Sequence, residues 1–136
     1  MIEPNEDNTA WRRALRREMV ARRAALDGAA HGALSARIVG HLQAALPVPR
    51  VFAFCWPIKH EPDVRAVVEV WLGQGAQAAL PVVIAADAPL AFRRWTPETP
   101  LENDRYGIPT PTAGEFVQPD LILLPLGVTL AVKLTP

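Results

Sequence analysis

The fold of this chain turns on Val51-Phe52-Ala53-Phe54-Cys55-Trp56-Pro57-Ile58-Lys59-His60-Glu61-Pro62-Asp63. The β-branched and aromatic residues over 51–54 favour a strand. From Val64 onward Val64, Val67, Val68, Trp71 and Leu72 recur at helical spacing, with Gly73 and Gly75 as the stop. What lies between reads as a strand-to-helix crossover loop, and in open α/β sheets such loops at the carboxyl ends of strands are where ligands bind. The loop places a carboxylate, Glu61, close to an aromatic face, Trp56, with Pro57 and Pro62 restricting the backbone. Together they suit a flat, nitrogen-rich heterocycle, which stacks on the indole and donates N–H groups to the carboxylate.

Upstream, residues 1–9 read as a disordered leader. Trp11 to Leu26 is helical, with Asn8 or Thr9 as N-cap and Gly28 as stop. At about 100° per residue, Trp11, Leu15, Met19 and Leu26 form an apolar stripe bordered by Arg12, Arg16 and Arg23, while Arg13 and Arg17 face outward. Two readings of the arginine row stand open. It is either a solvated basic face whose stems cover the core, or a set of guanidinium groups turned over a cleft to grip phosphate oxygens. A second helix carries Leu34, Ile38, Leu42 and Leu46 before Pro47.

Downstream, Ala78 to Val83 is a short strand in which Pro81 implies a strand end or edge. Leu90, Phe92 and Trp95 alternate along another strand, and residues 96–119 read as an ordered loop over the sheet. Leu121-Ile122-Leu123-Leu124 is a continuous apolar run of the kind buried on both faces of a parallel sheet. Alternating strands and helices imply an α/β fold with a mostly parallel sheet. The stretch after Pro125, Leu126 to Pro136, offers no recognisable helix to cover that last strand, so a covering layer is missing from the pattern.

A chain of 136 residues, half of them hydrophobic, fits one domain with a real core. Its formal net charge of zero gives no sign of a nucleic-acid or membrane-surface partner. Cys55 stands alone, which excludes an internal disulfide and fits a reducing compartment. The acidic start has no apolar core of a signal peptide, and no apolar run approaches the roughly 20 residues of a membrane span, so the reading is a cytoplasmic protein. Phosphate-binding glycine loops, GxSxG, HExxH and paired cysteines are all missing. His31 and His41 are out of helical phase for a shared ligand. His60 beside Glu61 and Asp63 reads as a turn histidine and a helix N-cap aspartate, and Cys55 as a small packing residue.

Six segments in register are similar to the methenyltetrahydrofolate synthetase (5-formyltetrahydrofolate cyclo-ligase) family. They are Arg12-Arg13-Ala14-Leu15-Arg16 with Arg23; Trp56-Pro57-Ile58-Lys59-His60-Glu61; Leu80-Pro81; Leu90-x-Phe92-x-x-Trp95; Gly107-Ile108-x-x-Pro111; and Pro119-Asp120-Leu121-Ile122-Leu123-Leu124-Pro125. The resemblance spans residues 11–126, with Arg12 in place of the usual lysine, Cys55 where an aromatic residue is common and Thr110 where glutamate is common. It divides the chain into the leader 1–9, an α/β domain 10–126 and an atypical tail 127–136. The family's glycine-rich segment with a Y-D pair, expected to cradle ATP phosphates and bind magnesium, has no counterpart in Leu126 to Pro136.

The resemblance implies a three-layer α/β/α sandwich like that of the sugar-phosphate isomerase and CoA-transferase superfamily. It implies ATP- and Mg²⁺-dependent closure of 5-formyltetrahydrofolate to 5,10-methenyltetrahydrofolate. ATP would lie on Arg12, Arg13, Ala14, Leu15 and Arg16, and the folate on Trp56 and Glu61, with no catalytic or metal-binding residue assigned. The alternative is a folate-binding relic or fragment that lacks the phosphate loop. The partners expected are a folate and ATP, with no nucleic acid and no membrane. The chain is expected to be a monomer, with an apolar sheet face as its route to association.

Overall fold

The computed structural model of the chain describes residues 6–125 and 130–134, with side chains over 8–125. Helices α1 (Glu6–Ala24) and α2 (Gly28–Ala45) precede strand β1 (Val51–Ala53). Helix α3 (Arg65–Gly73) joins β1 to β2 (Gln77–Val82). Then come β3 (Ala91–Trp95), β4 (Leu101–Asn103), β5 (Pro109–Pro111), β6 (Phe116–Val117), β7 (Leu121–Pro125) and β8 (Leu130–Leu134).

Six strands form one sheet in the order β6-β3-β2-β1-β7-β8, and β4 and β5 form a separate hairpin. The α/β class expected from the sequence holds. The parallel part, however, is only the central trio, with β1 between β2 and β7. The flanking pairs β2·β3, β3·β6 and β7·β8 are antiparallel, so the sheet is mixed. Connection length explains it: a parallel return needs a crossover of a dozen or more residues. Only 83–90 separate β2 from β3, and only 126–129 separate β7 from β8.

The core lies where α2 and α3 meet the sheet. Phe52 and Phe54 of the β1 segment, Ala78 and Leu80 of β2, Trp95 of β3, and Leu121 and Leu123 of β7 pack with Val39 and Leu42 of α2 and Val67, Val68 and Trp71 of α3. At its centre the rings of Phe52 and Trp71 meet edge to face, 5.0 Å between centroids and 77° between planes. That geometry sets the positive ring edge of one against the negative face of the other.

The α3 spacing read from sequence is the face that is buried, Leu72 being half-buried. On α2 the buried residues are Ser35, Val39 and Leu42, while Leu34 is exposed. The face is turned by one residue from a strict spacing of four, the drift that 3.6 residues per turn imposes. Asp27 starts this helix, its side chain accepting from the Ala30 amide at 2.7 Å.

Four further expectations change. Glu6 to Thr9 of the leader are already helical, residues 1–5 lying outside the described residues. Residues 96–119 contain the β4–β5 hairpin and β6 rather than loop alone. The tail contributes β8 alongside β7, and the rest of it lies outside the described residues. The apolar stripe of α1 is not core either: Trp11 is 61% exposed, and Leu15, Met19 and Leu26 are only half-buried. Helical periodicity identifies an apolar face but not what it meets.

Pro81 sits beyond the last β1–β2 pairing, Ala53 with Ala79, so it interrupts no β1 ladder bond. Gly114, at φ +105°, lets the β5–β6 turn close on β3. A Cβ there would stand 2.7 Å from the Arg94 carbonyl oxygen, so only glycine fits.

Trp71→Ala removes the largest fully buried side chain. It is expected to cost about 3–5 kcal/mol, a large part of a domain's total stability. A urea titration followed by circular dichroism checks this, with a much lower midpoint than wild type as the expected outcome.

Candidate functional site

From β1 the chain passes to β2 and β3 on one side, then returns to place β7 on the other side of β1. Strand order therefore reverses beside β1, and the crevice outside the carboxyl ends of strands at such a reversal is the usual ligand position in α/β sheets. The segment that follows β1 at that end is the Cys55–Asp63 loop.

Its turn is built by Glu61 at both ends. The Glu61 amide donates to the Ile58 carbonyl at 3.0 Å. The Glu61 carboxylate Oε1 accepts from the Ile58 amide at 3.1 Å. Between them Lys59 and His60 take φ of +50° and +62°, the left-handed region that residues with a Cβ seldom occupy. The Ile58 amide is thus satisfied by a side chain, and one carboxylate oxygen, Oε2, has no hydrogen-bond partner among the described residues.

The loop is pinned to the helices through its backbone. Arg23 Nε of α1 donates to the Lys59 carbonyl at 3.2 Å. The His31 ring of α2 bonds the Glu61 carbonyl through Nε2 at 2.8 Å, and the His60 ring bonds the Leu26 carbonyl through Nε2 at 3.0 Å. The two imidazoles stack with centroids 4.1 Å apart. The Asp63 amide donates to the hydroxyl of buried Ser35 at 3.0 Å.

Trp56 is half-buried in an aromatic corner, 6.5 Å from Phe54 and 6.0 Å from Trp95 between centroids. The Arg65 guanidinium lies over its ring at 5.0 Å. Arg65 is also held by a fork-to-fork pair with Asp63, at 2.9 and 2.7 Å. One face of the indole is therefore occupied by a cation. Asp63 also accepts from the Arg65 amide at 3.0 Å, but the N-cap of α3 is Val64 rather than Asp63 as read from sequence. The hydrogen bonds from Arg65 are the main reason its carboxyl is held below the ordinary 3.8.

Cys55 is pushed up to about 11, first by burial and then by the nearby charge of Glu61. At neutral pH it is a thiol, in keeping with a packing role.

The arginine row divides. Arg12, Arg13 and Arg16 are exposed and have no ion-pair partner among the described residues, Ala14 is exposed, and Leu15 is half-buried. Arg13, Arg16 and Arg17 line an open groove of about 400 Å³ together with Ala10, and Arg12 is not part of it. Arg13 and Arg17 thus share a surface with Arg16, where the sequence had aligned Arg12 with it. Only Arg23 reaches the loop. Sequence reasoning missed the His31–His60 pair, because a helix-start histidine and a loop histidine have no common spacing to betray them. Thr110, where the resemblance expects glutamate, has a buried hydroxyl without a partner among the described residues.

No protein-family model and no curated protein sequence matches the chain. Among solved structures, a 5,10-methenyltetrahydrofolate synthetase from Aquifex aeolicus superposes with a TM-score of 0.62 at 27% identity over 79% of this chain. The chain is thus similar in fold, and in part in sequence, to the methenyltetrahydrofolate synthetases. A second synthetase, from Mycoplasma pneumoniae, shares the fold with a TM-score of 0.58 at 21% identity over 84% of this chain. The chain spans 55% and 63% of the lengths of these two synthetase structures. Among the described residues no helix is long and apolar enough to cross a membrane.

Two outcomes follow for the loop. Cys55 should alkylate slowly with iodoacetamide at pH 8, and Glu61→Gln should speed the reaction by removing one of the two causes that raise its pKa. Asp63, with its lowered pKa, contributes stability that is present above pH 3.8 and is lost as pH falls through its folded value. Arg65→Ala should lose this contribution, so acid titrations of the variant and wild type should differ in stability near neutrality and converge at the acid end.

Proposed function

We propose that this chain binds a reduced folate on the Cys55–Asp63 loop and takes part in the ATP-dependent closure of 5-formyltetrahydrofolate to 5,10-methenyltetrahydrofolate. The observation that carries the reading is that Trp56 and Glu61 lie on one loop, which leaves β1 at the strand-order reversal. The pterin ring packs against the part of the half-buried Trp56 indole left uncovered by Arg65, Phe54 and Trp95, and Glu61 Oε2 accepts its N–H donors while Oε1 holds the turn. The raised pKa of Cys55 keeps a second negative charge away from that carboxylate at neutral pH.

ATP is the second substrate. Its phosphates are assigned to α1, where Arg12, Arg13 and Arg16, with Ala14 and Leu15 between them, present unneutralised guanidinium groups. In the reaction the formyl oxygen attacks the γ-phosphorus and ADP leaves, N10 then attacks the activated formyl carbon and gives up its proton, and the C–O bond breaks to release phosphate. The protein's part in such a transfer is positioning and charge neutralisation. Arg23 links the two halves, since it extends from α1 to the loop backbone. Among the described residues no three carboxylate, imidazole or thiol groups converge on one point, so they form no cage for magnesium.

A second reading, folate binding without turnover, is favoured by the contrast between the two halves. The folate loop is anchored through its backbone, whereas Arg13, Arg16 and Arg17 of α1 stand in an open groove. A cytoplasmic setting suits either reading, with the small molecules as the partners.

Calorimetry of the chain with 5-formyltetrahydrofolate, with and without magnesium and ATP, tests both alongside absorbance of the methenyl product. Binding with product supports the full reaction; binding without product supports the second reading; absence of binding overturns both. Glu61→Ala is expected to weaken folate binding roughly ten- to a hundredfold, the scale of a hydrogen bond to a charged group. Its unfolding midpoint should stay close to wild type.

A further inference from the structure

We propose that His31 is a positioning residue for the folate site, acting together with the stacked ring of His60 to fix the Ile58–Glu61 turn. The inference rests on the folate reading above. A turn with two consecutive left-handed residues, neither of them glycine, persists only where its surroundings over-determine it. The turn's own two hydrogen bonds join Ile58 and Glu61 to each other and leave its orientation on the protein open.

Orientation comes from the histidines, together with Arg23 on the Lys59 carbonyl. His31 holds the carbonyl of Glu61, the residue whose carboxylate is to meet the ligand, at 2.8 Å. His60, in the middle of the turn, reaches back to the Leu26 carbonyl between α1 and α2 at 3.0 Å. Both acceptors are carbonyl oxygens, so both Nε2 atoms carry hydrogen. The rings stack at 4.1 Å and 28°, so neither can turn without displacing the other. His31 is itself fixed because it lies in the first turn of α2, where its amide bonds the Asp27 carbonyl at 2.9 Å while the Asp27 side chain caps Ala30. A chain of contacts thus runs from the Asp27 cap through His31 to Glu61, and through Glu61 Oε1 to Ile58.

The test compares His31→Leu, which keeps bulk but has no donor, with His31→Gln, whose amide can still donate. Amide hydrogen exchange of Ile58 and Glu61 is measured without ligand, and 5-formyltetrahydrofolate and ATP affinities are measured separately. His31→Leu is expected to speed exchange at both amides and weaken folate binding by about tenfold or more. ATP affinity should stay unchanged, and His31→Gln should recover most of the loss. A purely structural role would lower the unfolding midpoint without this selectivity.

Wild-type exchange at Ile58 and Glu61 in His31→Leu, or faster exchange with unchanged folate affinity, overturns the proposal. His60→Leu, which removes the other half of the pair, carries the same test if the first variant does not fold. If the wild-type chain binds no folate, the functional reading falls, while the exchange measurement still decides whether His31 holds the turn.

Discussion

The edge-to-face contact between Phe52 and Trp71 is the constraint on which the rest depends. It joins the first strand of the sheet to the helix that follows it, so the loop between them has both ends fixed in the core. Phe54 continues the same face and meets Trp95 at 5.3 Å, which passes the packing on to the antiparallel side of the sheet. Trp56 is the next residue of this alternation to face that way, and it is only half-buried. The candidate site is thus the point where the aromatic core surfaces.

A rigid base alone would not make the loop specific. The second element is the economical use of Glu61, whose backbone closes a turn while one carboxylate oxygen caps it and the other stays open. Arg65 plays a comparable double part, forked onto Asp63 while covering one face of Trp56. Both devices fix polar groups at the mouth of an apolar corner, where the effective dielectric is lower than in water and such groups act more strongly.

Much of this was legible in the sequence. The β1–loop–α3 unit announced itself because its two periodicities, alternating and helical, meet at a pair of prolines. The same information located Trp56 and Glu61. What stayed hidden depends on long-range geometry. The spacing of α1 marked an apolar stripe, yet a stripe does not say whether another element will cover it, and Trp11 is largely exposed. The arginines were placed on a helix correctly, but which of them share a groove depends on side-chain directions that a 100° wheel leaves coarse. The β4–β5 hairpin hid because prolines at 100, 109 and 111 suppress any strand signal. The histidine pair hid because its members are 29 positions apart, brought together only by the way α2 runs past the loop.

The anchoring of the loop is carried largely by main-chain oxygens, those of Leu26, Ile58, Lys59 and Glu61. A carbonyl is supplied by any amino acid. Leu26 and Lys59 are therefore free to drift in evolution without loosening the scaffold, while the donors that reach them are not. Divergence of this kind erodes sequence similarity faster than shape, and it gives a physical reason why a chain of this fold can be superposed on a synthetase at only 27% identity over the matched part.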